Sequence, residues 1–461
     1  MKLSDSVGRF QCDRFGLVLT VDELKADVES GAVDTIIAAF TDMQGRLMGK
    51  RLDAEFFLEE LDAGHEVEGC NYLLALEMEM DPVPGYAMAS WERGYGDFGL
   101  QPDLGTLRRV PWHDATALVL CDVQSHDGSP VAPSPRQVLQ AQLARAEALG
   151  YEAMFGSELE FFLFRESFEE ARAKHYRDLT PSVGYILDYH ILAAGYDEPF
   201  MRAVRTAMKA AGMKVESSKG EAWPGQHEIN FRYADALKSA DDHVIYKTGL
   251  KTLAHQCGMS VTFMAKPDHT WVGSSCHIHS SLWRGGEPAF AGESDVFKQY
   301  LAGQIACASE LAVFLAPSIN SYKRYAAASW APTTLAWAYD NRTAGFRVVG
   351  HGSSLRPETR IPGADVNPYL AFAALLGAGL YGIEERLELG PAFEGNAYES
   401  DVERFPSALR EAIDRLERGT VARRLLGDEV VDHYLNYART EQRLFDEVVT
   451  GYERKRMFER G

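Results

Sequence analysis

Phe155-Gly156-Ser157-Glu158-Leu159-Glu160-Phe161-Phe162-Leu163-Phe164 is aromatic and β-compatible, and it reads as a strand. Residues two apart in a strand share a face, so Glu158 and Glu160 aim their carboxylates into one space. Two like charges that close raise each other's pKa unless a cation lies between them. Mg2+ and Mn2+ take carboxylate oxygens and meet that need. A solvated edge strand with two surface acids explains the same pair equally well, so the remaining chain has to decide.

At 461 residues the chain exceeds a typical single domain. Its net charge is −20, from 67 acidic against 47 basic residues, and no basic cluster interrupts it. A broad nucleic-acid surface is therefore excluded as a leading reading. The six cysteines lie far apart with no CxxC, which points to reduced thiols and a cytoplasmic protein. No apolar run reaches the length of a membrane helix, and the N-terminus is too polar for a secretory signal.

The chain falls into three stretches. Residues 1–20 read as a leader. From 21 to 125 a short helix opens at Val21, strands follow at 33–42 and 46–51 around a Gln44-Gly45 turn, and another covers 116–123, giving a small sheet-rich unit. From 130 to 461 strands and helices alternate. Ser134-Pro135 starts a helix, with Ser134 as its N-cap. Helices are expected near 197–212, 240–257 and 294–315, an apolar helix from Asn367-Pro368 to Ile383, and amphipathic helix over the last 60 residues. Strands are expected near 214–218, 228–232, 259–264 and 275–282.

Clustered polar residues recur between apolar ones. Glu221 and Glu228 stand either side of Trp223-Pro224-Gly225, a turn able to bring both to one point, although a plain surface loop fits too. His277-Ile278-His279 puts two imidazoles on one strand face, as metal ligand and phosphate contact or as structural histidines. Arg324, Arg342, Arg347 and Arg360 lie among apolar runs of an acid-rich protein. Their forks suit carboxylate and phosphate, or salt bridges to the surplus acids. Carboxylates and histidine for hard cations, beside arginines for anions, match phosphoryl transfer from ATP. No Walker-type or kinase glycine loop is present.

These blocks, with Asn320-Ser321-Tyr322-Lys323-Arg324, Pro357-Glu358-Thr359-Arg360 and Gly395-Asn396-Ala397-Tyr398 in the same order, resemble glutamine synthetase of the bacterial dodecameric class from about residue 20 to the end. The resemblance implies an α+β protein: a β-grasp-like N-terminal domain and a catalytic domain built on an incomplete barrel. It implies stacked hexameric rings, a dodecamer, with each active site completed by a neighbour's N-terminal domain. Two or more Mg2+ or Mn2+ ions are implied, one held by Glu160, Glu221 and Glu228, another by Glu158, His277 and Glu358. His279, Arg342, Arg347 and Tyr233 match ATP-binding positions, Tyr233 by stacking on adenine. Gly273, Arg324 and Arg360 match glutamate-binding positions, and Arg324, Arg342 and Arg360 also stand at the reaction centre. The implied reaction phosphorylates the γ-carboxylate of glutamate and then lets a nitrogen nucleophile displace phosphate.

The departures cluster at that nucleophile. Ammonia-using relatives carry a flap glutamate where this chain has Trp330, and tryptophan has no basic group. Their Asp-Gly-Ser-Ser is Glu68-Gly69-Cys70-Asn71 here, and their Asn-Gly-Ser-Gly is Val272-Gly273-Ser274-Ser275. Activation kept and acceptor altered is the pattern of the γ-glutamyl-amine ligases, which take ethanolamine, polyamines or small alkylamines. In that reading Glu68 receives the ammonium and deprotonates it, and Trp330 packs on the carbon chain. The rivals are a true glutamine synthetase using ammonia, and a non-catalytic paralogue.

Overall fold

The computed structural model describes residues 18–461, so most of the 1–20 leader lies outside the described residues. Thr20 closes a capping box with Glu23 at the start of the helix Val21–Glu29. Five strands then form one mixed sheet: β1 Thr35–Thr41, β2 Leu47–Asp53, β3 Val67–Cys70, β4 Asp97–Arg109 and β5 Thr116–Gln124. Their order is β2-β1-β5-β4-β3, with β1 and β5 parallel, and β3 forms an edge. This small sheet with helices on it answers the β-grasp-like expectation.

A ten-stranded sheet follows the path β13-β14-β15-β11-β6-β8-β7. Its strands are β6 Glu152–Phe164, β7 Val215–Gly220, β8 Gln226–Phe231, β9 Ala234–Asp235, β10 Ser260–Thr262, β11 Cys276–Arg284, β12 Glu287–Pro288, β13 Trp337–Tyr339, β14 Phe346–Val349 and β15 Arg356–Thr359. The sheet curls into the incomplete barrel anticipated from the sequence. Its hub is β6, which pairs with β8, β9, β10 and β11. Alternation explains the hub: Phe155, Leu159 and Phe161 join the hydrophobic core, while Glu158 and Glu160 lie on the opposite face.

Helices cover the core side. Pro135–Ala148 starts at Pro135 as expected, but the Ser134 side chain makes no capping bond, so proline geometry rather than the hydroxyl sets this start. Asn367 caps Pro368–Glu384 by accepting from the Tyr369 amide, and that helix is buried nearly throughout. Two expectations need correction. The helix expected at 294–315 ends at Cys307 and resumes only over Ala312–Leu315. The C-terminal region is four helices, broken by Gly419 and Gly427 and by the extended cap at Val448, although Leu409, Ile413 and Leu416 do form one buried stripe. No described helix is long and apolar enough to cross a membrane.

A polar joint ties the small sheet to helices of the second unit. Arg136, almost fully buried, donates to Asp103 on β4 (2.6 Å), Asp122 on β5 (2.6 Å) and Asp241 of the helix Ala236–Gln256 (3.0 Å). Tyr369 adds a hydroxyl bond to Asp241 at 2.6 Å. Removing one member of such a group strands buried charge, at a cost of ~3–5 kcal/mol. Arg136→Met is therefore expected to lower the thermal unfolding midpoint by several degrees in scanning calorimetry, and an unmoved midpoint would show that solvent satisfies these carboxylates.

Candidate active site

Register across the barrel assembles the site. Glu160 on β6 lies directly opposite Glu228 on β8, and Glu228 opposite Lys219 on β7. Glu158 lies between Asn230 on β8 and His277 on β11. One step along β11, His279 lies opposite Glu358 on β15, itself opposite Arg347 on β14. Glu221 joins through the turn that the sequence placed between it and Glu228. Gly225 supplies the positive φ of 68° there, and a Cβ on it would sit 2.8 Å from the Leu163 carbonyl.

Ligand atoms of Glu160, Glu221 and Glu228 all fall within 4.8 Å of one another, as do those of Glu158, Glu228 and His277, and those of Glu158, His279 and Glu358. The first trio is the set anticipated. The second was expected as Glu158, His277 and Glu358: His277 Nδ1 stands 3.2 Å from Glu158 and 3.6 Å from Glu358, with His279 beside them.

Charge is strained at this point. Burial, then repulsion from Glu221, Glu158 and Glu160, pushes the Glu228 carboxyl well above the ordinary range. Burial and repulsion from Glu160 push Glu221 to about 7, against the pull of Lys219. Burial also raises Glu160, opposed by the Ser275 amide that bonds it at 2.8 Å. Burial works on Glu158 in the same direction, yet bonds from His277 and His279 outweigh it and hold that carboxyl well below the usual range. Glu358 is held low against burial by His277 and Arg360.

This donor set fits divalent cations. Like carboxylates facing across adjacent strands destabilise a sheet unless a cation compensates. His277 donates from Nδ1 to Glu158 (3.2 Å), which leaves Nε2 as a buried lone pair with no partner. Glu358 is more committed, receiving Arg360 on one oxygen (2.6 Å) and Arg347 on the other (2.8 Å), although each oxygen keeps a second lone pair.

Two neighbouring cavities flank the ligands. One, of about 420 Å³, is lined by the carboxylates together with Gly273, Arg324, Trp330, Arg342, Arg347 and Arg360. Arg324 is fully buried and donates to Ile361 O (2.8 Å), Arg360 O (3.0 Å) and Ser275 Oγ (2.7 Å). Trp330 lies on a positive-φ turn with 60% of its surface exposed, and its carbonyl accepts a long 3.5 Å bond from Arg360. The other cavity, of about 390 Å³, is lined by Glu158, Tyr233, His279 and Arg356. Tyr233 stacks beside Trp283 at 6.4 Å, and Arg356 donates to His279 Nδ1 at 3.2 Å.

Glu68 is the one anticipated residue that stands apart. It is exposed on β3, at the edge of the small sheet, and does not line the carboxylate cavity of its own chain. Several residues without an assignment from sequence do reach the site. Lys219 pairs with Glu221, and Gln226 bridges Glu160 (3.1 Å) to the Gly273 carbonyl (3.0 Å). Both lie inside the same block as Glu221 and Glu228, so proximity in sequence was the available signal. Asp188 and Tyr189 also line the cavity, from a stretch with no recognisable spacing.

An incomplete barrel with buried carboxylates beside arginines defines an enzyme site for hard cations and anionic substrates. Sequence comparison gives the family: the glutamine synthetase catalytic domain matches residues 132–457, and the chain belongs to that family. Its relatives include a gamma-glutamylethanolamide synthetase of Streptomyces coelicolor, 53% identical over 446 residues and covering 96% of each chain. A glutamate–isopropylamine ligase of a Pseudomonas species is 39% identical over 439 residues, 92% of this chain and 95% of the other. Among solved structures, GmaS in complex with ADP superposes with a TM-score of 0.83 at 27% identity, over 95% of this chain and 99% of GmaS. Glutamine synthetase-family ligases use ATP and a divalent metal.

The electrostatics predict two opposite effects of one substitution. Glu221 and Glu228 carry raised pKa values, so the folded chain keeps protons that the unfolded chain releases. Their stabilising contribution is present below the ordinary carboxylate pKa and is lost as pH rises through about 7. At pH 8 with a chelator, Glu228→Gln should therefore raise the thermal midpoint. With Mn2+ added, the wild type should gain stability and Glu228→Gln should gain little; equal gains in both would place the ion elsewhere.

Proposed function

We propose that this protein ligates the γ-carboxylate of L-glutamate to a primary amine at the expense of ATP, through γ-glutamyl phosphate. The observation that carries the reading is Trp330 on the wall of the cavity that Glu158, Glu160, Glu221 and Glu228 line. The named relatives, a gamma-glutamylethanolamide synthetase and a glutamate–isopropylamine ligase, support the same acceptor class.

In this reading the Tyr233 cavity takes the nucleotide, with the ring beside its base and with His279 and Arg356 toward its phosphates. Gly273 and Arg324 border glutamate. The γ-carboxylate oxygen attacks the terminal phosphorus of ATP and ADP departs. Arg342, Arg347 and Arg360 neutralise charge on the transferring phosphoryl group, where positioning and electrostatics supply most of the catalysis. Mg2+ or Mn2+, two or more per site, would be held by Glu160, Glu221 and Glu228 and by Glu158, His277 and Glu358, and supplies charge neutralisation at phosphate and carboxylate oxygens. Glu68 takes a proton from the ammonium, the freed amine nitrogen attacks the acyl carbon, and phosphate leaves as the nitrogen sheds its second proton to solvent. Glu68 enters from the N-terminal unit (21–125) of a neighbouring copy and faces the catalytic unit (130–461), within a cytoplasmic homo-oligomer, a dodecamer in this reading.

A phosphate-release assay with glutamate, ATP and a panel containing ammonia, ethanolamine, isopropylamine and a polyamine tests the acceptor. At least one amine should exceed ammonia in kcat/KM; if ammonia outcompetes every amine, the protein is an ordinary glutamine synthetase. Trp330→Ala should raise KM for the preferred amine by roughly tenfold, the scale of a lost apolar pocket contact, and leave KM for glutamate unchanged. Glu228→Ala should abolish turnover.

A further inference from the structure

The carboxylate cavity holds one acid that neither the metal trios nor the phosphate arginines use. Asp188 lines the cavity and is exposed to it, outside every group of converging metal ligands. Lys219, which lines the same cavity, is paired with Glu221 instead, and its ammonium also stands 4.5 Å over the Tyr189 ring. Asp188 therefore offers the cavity a carboxylate that Lys219 does not neutralise.

The segment carrying it is fixed to the end of β7, where Glu221 follows. The Asp188 amide donates to the Glu221 carbonyl at 2.9 Å, and the Tyr189 amide to the Gly220 carbonyl at 3.3 Å. Leu187 is buried in a small cluster with Val183 and Ala193. Contact is close enough that a Cβ on Gly220 would meet the Leu187 Cβ at 2.3 Å, so only glycine allows this approach. Asp188 thus keeps a set position relative to Glu221.

A primary amine arrives in neutral water as an alkylammonium ion. Its recognition needs a carboxylate for the charge and aromatic faces for the cation and its carbon chain. Tyr189 and Trp330 line the same cavity, 68% and 60% exposed. We propose that Asp188 receives the ammonium group of the acceptor amine, between Tyr189 and Trp330, as the specificity-determining acid supplied within the chain. This rests on the acceptor reading above, and it adds to Glu68 an acid that needs no second copy.

Steady-state kinetics with ethanolamine, on the full-length protein, test it. Asp188→Asn should raise KM for ethanolamine about 10- to 100-fold, the scale of a lost charge-assisted hydrogen bond, with kcat and the KM values for glutamate and ATP little changed. Asp188→Glu should recover most of that affinity. Hydroxylamine is uncharged at neutral pH, so hydroxamate formation from it should be the same in wild type and Asp188→Asn. An unmoved KM for ethanolamine, or an equal loss with hydroxylamine, overturns the assignment while leaving the acceptor reading intact. A wild type that uses ammonia but no amine overturns both.

Discussion

Repulsion among Glu158, Glu160, Glu221 and Glu228 is the constraint on which the rest of the molecule depends. Crowding four carboxylates, Glu160 and Glu228 among them buried, costs folding free energy unless cations sit between them. The surrounding structure shows several partial answers. His277 and His279 both donate to Glu158, the Ser275 amide and Gln226 bond Glu160, and Lys219 leans on Glu221. Glu228 gets no comparable hydrogen bond, and burial with repulsion from its neighbours pushes its carboxyl well above the ordinary range. A site left this short of positive charge is prepared for a metal.

That strain is tolerable because β6 lies at the centre of its sheet. Pairing with four other strands and an aromatic core face hold it in place, so its carboxylates cannot splay into solvent. The Arg136 joint extends the same logic to the small sheet, since one buried guanidinium binds carboxylates from both parts of the chain. The β3 edge carrying Glu68 consequently has a defined place, exposed and away from its own chain's cavity.

Chemistry separates across the cavity. Glu158, Glu160, Glu228, His277, Glu358 and Arg347 lie on barrel strands, where register fixes them, and Glu221, Arg324, Arg342 and Arg360 lie in the segments that adjoin those strands. The proposed acceptor side is built from loops: Trp330 on a positive-φ turn, and Asp188 and Tyr189 on a segment tied to β7 by backbone bonds. Loops on a rigid scaffold change without disturbing the scaffold. This accounts for a family in which phosphoryl activation is retained while the nitrogen nucleophile varies.

Short-range rules made much of this legible in sequence. Period-two alternation put Glu158 with Glu160 and His277 with His279, and Pro224-Gly225 brought Glu221 back toward Glu228. Local rules erred where tertiary context governs: Ser134 occupies the cap position without capping, and the expected helix through 315 ends at Cys307. The sequence by itself determined which residues carry charge and which strand face each one takes, because those follow from composition and backbone periodicity. Only the tertiary structure decided which strands lie side by side, and so which carboxylates confront each other. It also brought Asp188 beside Glu221, since their contact depends on two segments more than thirty residues apart meeting at a glycine.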